Sequence, residues 1–147
     1  FNHMRPKDLN YNCAISNKNE IIKLFYQKEL SQLSTTEIDQ AKTVFQGNIK
    51  EKEIQAFTLD EVLNKGKFKN NKIDFLDIDA EGADLKVLKG LSFDKFKPEL
   101  ICVEIHEKEI ELSKIYRFLV DKKYELIWSG VFSYIFKRLQ NQEKQCK

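Results

Sequence analysis

The sequence predicts an α/β fold in which parallel strands alternate with helices and the chain closes in a β-hairpin. Its second half is typical of strand, helix, strand and helix over residues 73–79, 83–89, 100–106 and 109–122. Strands that alternate with helices pair in parallel, because each helix returns the chain across the sheet. Two further apolar runs, 124–128 and 131–136, flank Ser129-Gly130 and indicate the C-terminal hairpin.

The first half of the chain has weaker patterns. Residues 10–15 and 20–26 are typical of short strands joined by a polar turn. Residues 27–53 hold few large apolar side chains and predict an irregular loop. Thr58 is a suitable N-cap, and Glu61 follows three residues later as in a capping box. We therefore predict a short helix after Thr58.

The helices and strands of the second half have clearer boundaries. Leu85 and Leu88 lie three apart on one helix face, and Gly90 suits the C-terminal cap of that helix. Pro98 cannot sit in the centre of a ladder, so the next strand begins after it. The helix over 109–122 carries an apolar stripe at helical spacing, formed by Ile115, Phe118, Leu119 and Val120.

Length and composition predict one domain over residues 1–147. It comprises an irregular part (1–70), a βαβα core with a hairpin (71–138) and a polar tail (139–147). The 25 basic and 23 acidic side chains nearly balance, which gives no electrostatic case for binding nucleic acid. No apolar run approaches the ~20 residues that span a bilayer. Three distant cysteines form neither a disulfide framework nor a metal motif, which favours reduced thiols in the cytoplasm.

Acidic side chains follow both central strands. Asp77 and Asp79 share one face of the strand over 73–79, and Glu104 and His106 share one face of the next. Ligands of open α/β sheets bind at the carboxyl ends of the strands, so these four side chains and Glu81 are expected to border one cleft. A carboxylate in a cleft, or an imidazole, is suited to taking a proton. Asp77 attracts special interest, because an acid within a buried strand is costly without a partner.

Two other interpretations of these acids stay open. Asp79 and Glu81 precede a helix, where a carboxylate caps backbone N–H groups and favours the positive helix end. Asp77, Asp79, Glu104 and His106 also form a ligand set suited to magnesium or manganese, although no motif demands a metal.

The residues also resemble a known family, the FkbM-type methyltransferases. The resemblance rests on Ile73 to Gly82 (IDFLDIDAEG), on the helix ending VLKG, and on Lys97-Pro98 before Val103-Glu104. Weaker matches are RPKDLN at 5–10, Ala14-Ile15-Ser16 and TLDE at 58–61. The resemblance implies a Rossmann-like class I methyltransferase sheet and methyl transfer from S-adenosylmethionine to oxygen. The implied acceptor is a sugar, a sugar-containing metabolite or another small molecule.

Specific site residues follow from combining the resemblance with the chemistry. Asp79, Glu104 and His106 are the expected catalytic residues, and no metal site is assigned. The expected cofactor-binding residues are Asp77, Glu81, Ala14, Ile15 and Ser16, the last three beside the adenine.

One departure from the family is large. Its glycine-rich cofactor loop, which follows the first strand of the family's sheet, has no counterpart among five glycines and no G-x-G-x-x-G. We therefore expect an N-terminally incomplete sheet in which the strand over 73–79 has an unpaired edge, open to a homodimer. Two alternative functions stay open. One is a metal-dependent glycosyltransferase using Asp77-Ile78-Asp79, and the other is a non-catalytic fragment that needs a partner chain.

Overall fold

The computed structural model describes residues 3–28, 33–66 and 72–140, which form a mixed α/β structure with two sheets. The strands are β1 (Ala14–Ile15), β2 (Glu20–Tyr26), β3 (Lys50–Phe57), β4 (Phe75–Ile78), β5 (Leu100–Glu104), β6 (Tyr124–Ser129) and β7 (Ser133–Arg138). The helices are α1 (Ile38–Val44), α2 (Leu59–Lys65), α3 (Asp84–Lys89) and α4 (Lys114–Asp121). None of the helices in these ranges is long and apolar enough to cross a bilayer.

The larger sheet has the strand order β4-β5-β7-β6. β4 and β5 are parallel, whereas β7 is antiparallel to both β5 and β6. The predicted parallel pair and the predicted C-terminal hairpin are therefore confirmed. Alternate residues of these strands face one core with α3 and α4, formed by Ile78, Val87, Leu88, Ile101, Val103, Ile105, Leu119, Tyr124 and Phe136.

The opposite face of the larger sheet is partly exposed to solvent among the described residues. Phe75, Asp77 and Cys102 lie on it, since Asp77 is paired with Cys102 in the ladder. Phe75 is 50% exposed and Asp77 is exposed. The expectation that Asp77 is a buried acid is therefore wrong. β4 does end at buried Ile78, but its burial comes from the face that carries Leu76 and Ile78, and Asp77 points away from that core.

The smaller sheet has the order β1-β3-β2. β2 pairs antiparallel with β3 over its whole length, and β1 pairs parallel with β3 at Ala14 and Ala56. α1 packs on this sheet through a small core of Phe25, Ala41 and Phe45. The irregular loop predicted over 27–53 is thus wrong for α1 and for the start of β3.

The patterning of β3 explains that error. Lys50, Glu51, Lys52 and Glu53 are four consecutive exposed charges, so the first half of the strand lacks alternating apolar residues. Its conformation comes from the ladder to β2 rather than from burial of its own side chains. Within the same predicted loop, residues 29–32 lie outside the described ranges.

Several other boundaries match or shorten the predictions. The strand over 20–26 is confirmed, and Thr58 caps α2 by accepting a hydrogen bond from the amide of Glu61 at 3.2 Å. The strand predicted over 10–15 is shorter, namely Ala14–Ile15. The helix predicted from 109 begins at Lys114 instead, because the Ser113 hydroxyl accepts the Ile115 amide and a separate 3₁₀ turn precedes it. Residues 141–147 of the predicted tail, with Cys146, lie outside the described ranges.

Candidate active site

The chain turns sharply where β4 ends. Glu81 has φ 47° and Gly82 has φ 91°, both in the left-handed region. Glycine adopts that region freely, but a residue with a side chain such as Glu81 does so at a cost in free energy. The turn therefore depends on its surroundings, and it directs the chain from the end of β4 into α3.

Asp84 holds this turn from inside. Its buried carboxylate accepts hydrogen bonds from the amide of Ala80 at 3.4 Å and from the amide of Gly82 at 3.2 Å. The residue at the N-cap is Ala83, whose side chain has no polar group. The capping interpretation of Asp79 and Glu81 is therefore wrong. Asp84, the first residue of α3, bonds these amides instead, which leaves the carboxylates of Asp79 and Glu81 available for other contacts.

A cavity of about 410 Å³ lies between the two sheets, beside the edges of β1 and β4. Asp77, Asp79 and Glu81 line one side of it, and Ala14 and Ile15 line the other. It is also lined by Ser34, Thr35, Thr36, Leu59, Leu76, Ile78, Ala80, Ala83 and Val87. We call this the inter-sheet cavity. Its walls combine apolar side chains with a row of carboxylates.

A second cavity of about 380 Å³ lies on the other side of the turn, next to α3 and α4. Glu104 and His106 line it, together with Asp84, Lys114 and the backbone of Gly82. The Nε2 atom of His106 is 3.6 Å from a carboxylate oxygen of Glu104. We call this the Glu104 cavity.

Glu81 and Glu104 lie in a field of like charge. Partial burial is the main cause that raises the pKa of each carboxyl above its usual value, and the negative charge of Asp79 raises both pKa values further. His106 has the opposite, smaller effect on both pKa values. Burial also raises the pKa of Asp84, although its backbone hydrogen bonds oppose this. These effects couple Asp79, at the inter-sheet cavity, to Glu104, at the second cavity.

The thiol of Cys102 is not suited to act as a nucleophile at this site. Burial and a hydrogen bond to Asp77 raise the pKa of the Cys102 thiol to about 11. A thiol with such a pKa is protonated at neutral pH and is a poor nucleophile. Cys102 is thus a small side chain of the sheet rather than a reactive group.

Changing Glu104 to glutamine is expected to stabilise the fold at pH 7. The folded-state pKa of Glu104 lies above its unfolded value, so its ionised form weakens the fold at pH values above the folded-state pKa. The gain should be on the order of a few degrees in melting temperature. It should shrink as the pH falls and vanish well below the usual glutamate pKa of about 4.3, where the carboxyl is neutral in both states. Melting curves of both proteins from about pH 3 to pH 8 test this, and equal curves at pH 7 would contradict it.

The structure brings most of the predicted site residues to one region, divided between two cavities. Ala14, Ile15, Asp77, Asp79 and Glu81 border the inter-sheet cavity, and Glu104 and His106 border the other. Ser16 is buried beside them, with its hydroxyl 3.5 Å from the Glu20 carboxylate. Within 3–28, 33–66 and 72–140, no group of three or more His, Cys, Asp and Glu side chains is arranged to hold a metal ion. The metal interpretation of the acids therefore finds no support there.

Two contributions were missed from the sequence. Residues 34–36 line the inter-sheet cavity although they belong to the predicted loop, and Asp84 holds the turn. The signal for Asp84 was present, because an acid in the first turn of a helix and two residues after a glycine is well placed to accept backbone amides. For residues 34–36 there was no such signal, since their position depends on pairing between Thr35 and Phe25.

The fold and site define a class of α/β protein with an acidic cleft at the carboxyl end of parallel strands, where such sheets bind their ligands. Residues 2–126 match the family model described as the methyltransferase FkbM domain. The chain therefore belongs to the FkbM methyltransferase domain family, which supports a methyltransferase and confirms the resemblance. Comparisons with curated proteins and with solved structures give no match.

Proposed function

We propose that this chain carries out S-adenosylmethionine-dependent methyl transfer to a hydroxyl oxygen of a sugar or a sugar-containing metabolite. The observation that carries the proposal is the inter-sheet cavity, in a chain of this family. It lies at the carboxyl end of β4 and has Asp77, Asp79 and Glu81 on one side and the end of β1 on the other. The Rossmann-like class I arrangement is part of the same proposal, supported by the strand order β4-β5-β7-β6.

The cavity suits the chemistry of the cofactor. S-adenosylmethionine combines a flat adenine base with a methionine end that carries a sulfonium, an ammonium and a carboxylate group, and when bound it supplies an electrophilic methyl group. Ala14, Ile15 and Leu59 offer an apolar wall for the base. Asp79 and Glu81 offer negative charge for the sulfonium and the ammonium. Burial first, and the negative charges of Asp79 and Asp84 second, raise the pKa of Glu81.

Glu104 and His106 are placed to handle the proton of the acceptor. The hydroxyl that receives the methyl group must lose a proton, and a carboxylate with a raised pKa is a stronger base for that step. Glu104 has such a pKa, and the Nε2 atom of His106 lies 3.6 Å from its carboxylate. The acceptor would then lie at the edge of the Glu104 cavity, beside the turn at Gly82, because its oxygen must contact the methyl group to form the C–O bond while the C–S bond of the cofactor breaks. Its proton would pass to Glu104, and S-adenosylhomocysteine would leave.

The edge strands β1 and β4 leave room for a further strand beside the inter-sheet cavity. β1 and β4 each end their sheets, and both border the inter-sheet cavity. An extended strand between them would join the two sheets into one, since within the described residues each of these strands has a ladder partner on one side only. A homodimer through β4 stays a prediction. Asp74, Asp77 and Asp79 weigh against antiparallel pairing of two β4 strands, because like charges would face each other.

Titration with S-adenosylhomocysteine, followed by amide NMR spectra of the chain, tests the proposal. We expect saturable shifts at Ala14, Ile15 and 77–82, with binding that is weak if the glycine-rich loop is needed for close backbone approach. UDP-glucose with manganese is the matched control, because it tests the glycosyltransferase alternative directly. Shifts with the nucleotide sugar alone, or no shift with either at millimolar concentration, would contradict a methyltransferase cofactor site.

A further inference from the structure

Thr35 connects the smaller sheet to the turn of the candidate active site. It is 2% exposed, and its hydroxyl donates a hydrogen bond of 2.7 Å to the carbonyl oxygen of Glu81. The same hydroxyl accepts a hydrogen bond of 3.0 Å from the amide of Glu37. One buried side chain therefore links the segment before α1 to the left-handed turn after β4.

The position of Thr35 is itself fixed by β2. Its amide donates to the carbonyl of Phe25 at 3.1 Å, and its carbonyl accepts from the amide of Phe25 at 2.8 Å. Phe25 is buried in the small core under α1. The hydroxyl of Thr35 is therefore held by a strand and a packed core, which makes it a rigid anchor for the Glu81 carbonyl.

A second link between the same segments is weaker. Lys86 pairs with Glu37 at 2.6 Å, but the lysine is half exposed and such surface pairs contribute little. The hydroxyl of Thr35 lies in a buried place, where loss of a hydrogen bond leaves an unsatisfied carbonyl. The left-handed backbone of Glu81, with φ 47°, costs free energy, so contacts from outside the turn must stabilise it.

We propose that Thr35 is a positioning residue, which fixes the Glu81-Gly82 turn and thereby the carboxylates of Asp79 and Glu81 at the inter-sheet cavity. Thr35 lines this cavity together with both acids. The consequence for cofactor binding rests on the proposed function, whereas the consequence for the turn does not. The hydrogen bond from Thr35 thus makes the position of these carboxylates depend on the smaller sheet.

Three variants test this inference in the whole chain. Thr35→Val removes the hydroxyl and keeps the shape, whereas Thr35→Ser keeps the hydroxyl. Thr43→Val is the matched control, because the exposed Thr43 hydroxyl bonds the carbonyl of Asp39 within α1 at 3.0 Å. The readouts are amide hydrogen exchange at Gly82 and Ala83, the pKa of Glu81 from carbon NMR, the melting temperature, and affinity for S-adenosylhomocysteine.

We expect Thr35→Val to speed amide exchange at the turn by roughly 10-fold, the effect of one lost buried hydrogen bond. The pKa of Glu81 should fall toward its usual value, because a loosened turn exposes the carboxyl that burial now perturbs. Affinity for S-adenosylhomocysteine should weaken by a similar factor. Thr35→Ser and Thr43→Val should both keep the exchange rate, the pKa of Glu81 and the affinity for S-adenosylhomocysteine near their wild-type values.

The outcomes separate the inference from the proposed function. Unchanged exchange and an unchanged Glu81 pKa in Thr35→Val would overturn the inference, whether or not the wild-type chain binds S-adenosylhomocysteine. A fall in melting temperature with these two quantities unchanged would likewise show a merely structural role. Absence of S-adenosylhomocysteine binding by the wild type would count against the proposed function and leave the two cofactor-free readouts to decide the inference.

Discussion

Asp79→Asn is expected to lower methyl transfer by about 100-fold or more, with little change in melting temperature. Asp79 is exposed at the end of β4 and lines the inter-sheet cavity. Burial is the main cause of the raised pKa of Glu81 and of Glu104, and the negative charge of Asp79 raises both pKa values further. Asparagine keeps the size of the side chain and removes that charge. The change therefore removes attraction for a cationic ligand and makes Glu104 a weaker base.

The measurement is transfer of a tritiated methyl group from S-adenosylmethionine to a panel of sugars, made together with thermal melting on one preparation of the catalytically competent protein. Asp74→Asn is the matched control, because Asp74 is an exposed acid before β4 that pairs with Lys72 at 3.4 Å. That variant should keep its activity. If Asp79→Asn also stays near wild type, the acidic cleft must be centred on Asp77 and Glu104 instead.

The part of the fold that the sequence predicted well is the part with dense local patterns. The strand after Ile73, the turn at Gly82 and the helix ending at Gly90 each combine an apolar period with a specific capping or turn residue, and the structure contains all three. A segment is predictable from its own residues when its apolar pattern and its capping or turn residues indicate the same structure. The acids at the end of β4 were located for the same reason.

The missed parts depend on contacts between distant residues. β3 begins with four exposed charges and owes its strand conformation to β2, some 30 residues earlier. Thr35 lies in a polar stretch, and its role follows from pairing with Phe25 and from a hydrogen bond to Glu81. No property of one segment contains that information. The division of the site into two cavities was also missed, because it depends on the course of the turn in space: Asp79 and Glu81 line one cavity, whereas Gly82 and Asp84 line the other.

Gly90, at the end of α3, lies against the backbone that follows β1. A Cβ atom added to it would come closer than 3.0 Å to the carbonyl oxygen of Ser16, and within 3.2 Å of the carbonyl oxygen of Val87. Both neighbours are backbone atoms, which cannot rotate away as a side chain can. The carbonyl of Gly90 also accepts a hydrogen bond of 3.1 Å from the amide of Asp60. The end of α3 is thus fixed against β1 and α2 together.

Gly90→Ala is therefore expected to destabilise the fold by about 1–3 kcal/mol, the usual cost of forcing extra atoms into a packed place. The sign of the change in stability distinguishes a packed position from an open one. Gly90 has φ −81°, which alanine adopts without strain. In open space the same change would stabilise the fold by about 0.4–1 kcal/mol, because alanine lowers the conformational entropy of the unfolded chain. Urea unfolding measures the difference, with the neighbouring exposed Lys89→Ala as the control. A gain in stability would mean that β1 does not lie against α3, which would remove Ala14 and Ile15 from the proposed cofactor site.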